Sequence, residues 1–312
     1  PALLEALHVP VESQMAVFSK TSLQGMIIQP SNPRVLYFND SVAVGWVRGG
    51  FIELAAQNPG QGIAFYVLLQ RPDEHITRRQ DCVKCHKSSA LLLRSVTSAP
   101  SGVPSDDTDT NVDGRTPFSG LWGGWFVTGK VVPAGHSGNA VFEKAERHRI
   151  ELAPDPKTSL TPSSDIVALM VFAHQVRMMN LLANPDNVNE LVDSLLFADA
   201  APFPGKVAGE SGFTENFTVG GPKDSKGRSL RDLDLERHLV RYPCSYMIYS
   251  DAFDALPAPI KQAVYKRMWG ILSGEVTGPL YAHLSREARR AVVEILRDTR
   301  SGLPDYFQQA IR

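Results

Sequence analysis

Apolar positions in the first third of the chain fall in short runs, at residues 35–38, 42–47, 51–55 and 63–69. Turn-forming groups separate them: Asn39-Asp40, Gly49-Gly50 and Asn58-Pro59-Gly60. Short apolar or alternating runs bounded by such turns predict β-strands, here an antiparallel meander or a small partial barrel. Residues 98–117 are rich in Ser, Asp, Thr, Pro and Gly, which predicts a long surface loop. Residues 121–128, LWGGWFVT, predict a strand with close backbone packing. From Thr161 the pattern changes. Residues 161–165, TPSSD, form a helix-start signal, and residues 166–183 carry apolar side chains on nearly every face, the mark of a buried helix. Further helices are predicted at 187–197, 232–240, 257–272 and 285–297, with a glycine-rich loop over 202–227.

The expected fold class is therefore α+β, not a small all-α fold. Residues 1–80 are β-rich, 81–160 hold a cysteine motif, the long loop and the aromatic strand, and 161–312 are mainly helical, all within one unit. Composition leaves this intact: the chain is 43% hydrophobic and 21% charged, an ordinary globular balance. Its 32 basic and 33 acidic residues give a net charge of -1, with no bulk field to attract nucleic acid or anionic lipid. The most strongly apolar stretch, 166–172, is too short to span a bilayer, so no transmembrane segment is expected. The first residues, PALLE, carry no signal-peptide pattern, which fits a processed chain and leaves open a lost upstream anchor.

Chemistry is concentrated in residues 82–86, CVKCH. C-x-x-C-H is the attachment signature of a c-type haem: Cys82 and Cys85 each add across one vinyl group, and His86 ligates the iron on the proximal side. A zinc site would need four ligands, yet the only other cysteine is Cys244 and no second C-x-x-C or H-x-x-x-H exists. A redox dithiol would want a strand before the motif and a helix after it, whereas residues 71–81 are polar and include a proline. One covalent haem c is the expected cofactor, with an extracytoplasmic, periplasmic-type location.

The sixth iron position decides what such a haem does. His174 lies mid-helix, flanked by Met170 and Met178 four residues away on the same face. Its commoner role there is a core histidine bonded to a carbonyl. As a ligand it ranks ahead of His136, Met178 and Met170. Arg94 and Arg115 are candidates to pair with haem propionates through their fork geometry. Trp122 and Trp125 are candidates to wall the haem, or simply to pack. Cys244 reads as a buried, inert thiol.

Several segments carry a family likeness: VFSKTSLQ at 17–24, YFND at 37–40, VGWV at 44–47, CVKCH at 82–86, WGGW at 122–125, HSGN at 136–139 and RYPCSY at 241–246. Through them the chain resembles an uncharacterised family of bacterial extracytoplasmic monohaem c-type cytochromes. The likeness covers most of the chain but carries no established activity. Where such relatives tend to have a histidine after the Val-Thr-Gly turn, this chain has Lys130-Val131. With a haem and no second catalytic constellation, the expected function is electron transfer, or electron entry into a larger assembly through a redox partner protein or membrane-bound complex. The alternatives are a peroxidase-like haem enzyme with an open distal site and a haem-based gas sensor.

Overall fold

The N-terminal apolar runs become one antiparallel sheet in the computed structural model, which describes residues 1–84, 86, 90–105, 111–132, 135–143, 148–153, 155 and 159–311. After a short helix α1 (Ala2–Ala6), the strands are β1 (Met15–Val17), β2 (Arg34–Phe38), β3 (Val42–Trp46), β4 (Ile52–Asn58), β5 (Gly62–Leu68) and β6 (Thr77–Arg78). With β7 (Trp125–Phe126) they pair in the order β6-β5-β4-β3-β2-β1-β7. Two small pairs lie outside this sheet: β8 (Lys130–Val132) with β11 (Lys206–Ala208), and β9 (Ala140–Glu143) with β10 (His148–Glu151).

Both faces of the sheet are covered. Met15, Val17, Leu36, Phe38, Ala43 and Phe65 belong to the main core, while Ala16, Val35, Tyr37, Val42, Val44 and Leu54 belong to a second core beneath. The alternation is the period of two that a strand imposes. It explains why β2 and β3 read as continuous apolar runs.

The main core is centred on helix α2 (Ile166–Ala183). By length and composition this 18-residue helix could cross a membrane, with mean hydropathy 1.5, but 83% of it is buried inside the protein. Its N-cap, Asp165, is fully buried. One carboxylate oxygen accepts hydrogen bonds from the Val167 and Ala168 amides, the other from the Glu210 amide and from the amide and hydroxyl of Ser211. A buried carboxylate is tolerable only with that many donors. Around α2 lie α3 (Val188–Leu195), α4 (Phe213–Val219), α5 (Asp251–Asp254), α6 (Ala258–Ser273) and α7 (Arg286–Thr299). The α+β class and its division into a β-rich first part and a mainly helical last part are thus as expected.

Four local expectations change. Residues 232–240 form no helix: Leu233 bridges Val240, and the Asp234 carboxylate accepts from the Glu236 and Arg237 amides. An aspartate bonded to its own following amides offers the backbone a turn in place of a helix. Residues 202–227 are not all loop, since they contain β11 and α4. The described part of 98–117 is tied into the fold by bridges from Arg94 to Asn111 and from Ser98 to Pro104, with Ser98 and Val112 buried; residues 106–110 lie outside the described set. The aromatic segment forms strand only over Trp125–Phe126.

Candidate cofactor site

Residues Asp81–Lys84 form one 3-10 turn, which continues into His86 through its amide, donating to the Cys82 carbonyl at 2.9 Å. Cys82 and His86 therefore sit one turn apart, and both line the same cavity, of about 480 Å³. That lies within the range of roughly 300–1,000 Å³ typical of small-molecule and cofactor sites. Cys85, the other expected thioether position, lies outside the described residues.

His86 Nδ1 lies 2.8 Å from the Ala90 carbonyl oxygen. A carbonyl only accepts, so Nδ1 carries a proton, and in the neutral tautomer this leaves the lone pair on Nε2. This is the arrangement by which a backbone acceptor fixes the tautomer and orientation of a metal-ligating histidine. The imidazole packs on Phe65 of β5, ring centres 4.6 Å apart. Partial burial, then the Asp81 and Glu53 carboxylates, push the Cys82 thiol above its ordinary pKa, against the pull of Arg79. A thiol protonated at neutral pH is unlike the low-pKa thiolates of redox dithiols.

The cavity floor is the inner face of the sheet, where small residues, Ala43, Gly45 and Ala55, occupy its centre. Arg34 reaches across β3 to Glu53 on β4, with Nη2 to Oε2 at 2.5 Å. A Cβ on Gly45 would lie 2.7 Å from Arg34 Nη2, so the glycine makes room for the ion pair. Leu91 and Leu93, Trp125, and Phe172 and Val176 from α2 complete apolar walls. Arg94 also lines the cavity, and its carbonyl accepts from Trp125 Nε1 at 2.7 Å. A floor of small residues crossed by the Arg34–Glu53 pair, an imidazole held through Nδ1, an adjacent thiol and the Arg94 guanidinium are compatible with a c-type haem. Among the described residues no group of three or more His, Cys, Asp or Glu side chains could hold a metal ion by itself.

The structure brings together Cys82, His86, Arg94 and Trp125, and separates the others. His174 projects from α2 away from this cavity. Its Nε2 hydrogen-bonds Ser245 Oγ at 2.7 Å and its ring stacks on Phe197 at 4.1 Å. Burial, then the nearby Arg177 charge, lowers its pKa to about 3, so it is neutral. A sixth-ligand role does not suit this placement: on the helix, Phe172 and Val176 face the cavity and His174 faces the opposite way. Met170 shares its side, and Met178 is fully buried outside the cavity lining. His136, also expected as a possible ligand, sits in its loop with Nδ1 accepting from the Gly138 amide at 3.1 Å. Arg115 is exposed and committed to Asp113 at 2.7 Å, away from the propionate role expected of it. Cys244 is fully buried, and burial pushes its thiol pKa far up.

Trp122 and Trp125 part company. Trp125 walls the cavity, while Trp122, at φ 74°, turns to the far side, and the two rings meet edge to face at 6.4 Å. Gly124 permits the turn: its φ is 81° and a Cβ there would meet Ser19 Cβ at 2.6 Å. Sequence reasoning missed Arg34, Gly45 and Glu53. Part of their signal was available, since Gly45 and Glu53 lie in adjacent predicted strands and Arg34 directly precedes a third.

No protein-family model, no curated protein and no solved structure matches this chain.

Proposed function

We propose that the chain is a monohaem c-type cytochrome of an extracytoplasmic compartment, joined to its haem through Cys82 and Cys85, that exchanges electrons with a redox partner. The observation that carries this reading is His86, held by Ala90 through Nδ1, one turn from Cys82 on the same cavity. When bound, a c-type haem supplies a one-electron iron couple. The chain's own residues do the rest. Phe65 and the Ala90 carbonyl fix the His86 ring; Leu91, Leu93, Phe172 and Val176 exclude water; Arg94 lies on the lining where a propionate would meet positive charge. Low polarity and outer hydrogen bonds of this kind tune a redox centre.

The test is the protein expressed with a haem-attachment apparatus. Its denatured mass should exceed the apo-chain by roughly 0.6 kDa, the mass of one haem, since both thioethers survive denaturation. Cys82→Ala should weaken or abolish retention of colour. Bound zinc with no porphyrin would overturn the proposal.

One observation favours a second reading, a peroxidase-like enzyme or gas sensor with an open distal side. Among the described residues lining the cavity, His86 is the single imidazole and no methionine joins it, while the Arg34–Glu53 pair lies on its floor. Carbon monoxide and cyanide separate the two readings: a low-spin spectrum unmoved by either supports electron transfer, and binding of either supports the enzyme or sensor.

A further inference from the structure

Across α2 from the Cys82–His86 cavity lies another, of about 140 Å³. That is close to the roughly 150 Å³ of an engineered apolar cavity that takes benzene. Much of its wall is buried and apolar, with Phe118, Leu121, Met170 and Leu239.

Four of its lining residues are exposed and mark its mouth: Pro202, His238, Arg241 and His283. Three of these four are basic side chains, and no acidic residue is among them. The two imidazoles stand with ring centres 6.3 Å apart. Among the described residues, none of the three basic side chains forms an ion pair.

The carboxylates of the cavity are already occupied. Two line it, Asp113 and Asp199. Arg115 holds the first at 2.7 Å, and Arg177 holds both oxygens of the second at 2.8 and 2.7 Å. Glu190, outside the lining, lies 3.6 and 3.5 Å from the same two arginines. These five groups satisfy one another. Arg241 is the lining cation they leave over. A guanidinium presents a fork that matches a carboxylate, and an imidazole, charged or neutral, has an N–H to donate.

We propose that this cavity binds a small monocarboxylate with an apolar ring, of the size of benzoate. The ring enters between the apolar walls. The carboxylate stays at the mouth, where Arg241 and His238 donate to it. The site stands apart from the cofactor reading, because neither residue belongs to the Cys82–His86 cavity.

The test is calorimetric titration of the full chain with benzoate and with benzamide, which has nearly the same shape and no charge. Benzoate should saturate one site and bind about tenfold more tightly than benzamide, the fold-change expected of one hydrogen bond to a charged group. Arg241→Gln should bring benzoate down to the benzamide value. Ala173→Leu, which fills the cavity from α2, should abolish binding of both; if that variant fails to fold by circular dichroism, Ala200→Leu fills the cavity from its rim. Equal affinity for the two compounds, absence of saturation, or benzoate binding unchanged in Arg241→Gln or in the cavity-filling variant would overturn the proposal.

Discussion

The two sides of α2 carry the same kinds of residue to different ends. Toward the sheet, Phe172 and Val176 close a cavity whose imidazole, His86, sits at half-buried depth with Nδ1 on the Ala90 carbonyl. Toward the helices, His174 is buried with Nε2 bonded to Ser245 and its ring stacked on Phe197. Each side also has one tryptophan of the WGGW segment and one arginine–carboxylate pair, Arg34–Glu53 on the sheet and Arg177–Asp199 on the helix. The lesson is that a histidine's chemistry follows from what occupies its second nitrogen and what space lies beside the first. Apolar surroundings alone do not make a ligand.

The largest expected effect tests that contrast directly. If the proposed haem is bound, His86→Ala should remove its proximal ligand and change the spectrum outright, whereas His174→Ala should leave the spectrum unaltered. Equal spectral loss in both variants would break the comparison.

Next comes acid stability. In the folded protein His174 has a pKa of about 3, against an ordinary 6.5 in the unfolded chain. Between those values the unfolded state binds a proton that the folded state does not, so stability falls as pH falls. The slope from this one group is about 1.4 kcal/mol per pH unit. Urea melts at pH 7, 6, 5 and 4 should show it, and His174→Gln should flatten that part of the profile.

A smaller effect sharpens the sheet side. Gly45→Ala should displace Arg34 from Glu53 and cost about 1–2 kcal/mol in a chemical melt, since one half-buried ion pair is broken and its members are left partly unsatisfied. In an Arg34→Met background the same alanine should cost much less. Additive costs would show that the glycine serves something other than the ion pair.

The smallest effect belongs to Arg115. Its partners are exposed or half-buried, so Arg115→Ala should change stability by no more than about 0.5 kcal/mol and leave any haem spectrum untouched.

Periodicity made the long elements legible. The α2 boundaries, the four central strands and the C-terminal helices were readable because apolar spacing reports which faces are buried. Residues 232–240 were not, because Asp234 uses its carboxylate on the following amides and competes with the helix that the apolar spacing suggests.

For the site, the local string CVKCH was enough to nominate Cys82, Cys85 and His86, since a C-x-x-C-H signature is carried by spacing alone. The remaining candidates depended on direction. A helix buried on every face gives no clue to which of its sides meets a cavity, so His174, Met170 and Met178 could not be assigned from the pattern of α2. Only the tertiary structure decides that Phe172 and Val176 turn to the sheet and His174 to Ser245, because that rotation is set by packing between strands and helices far apart in the chain. In the same way it brings Arg34 across Gly45 to Glu53, a contact between three strands that no single stretch of sequence contains.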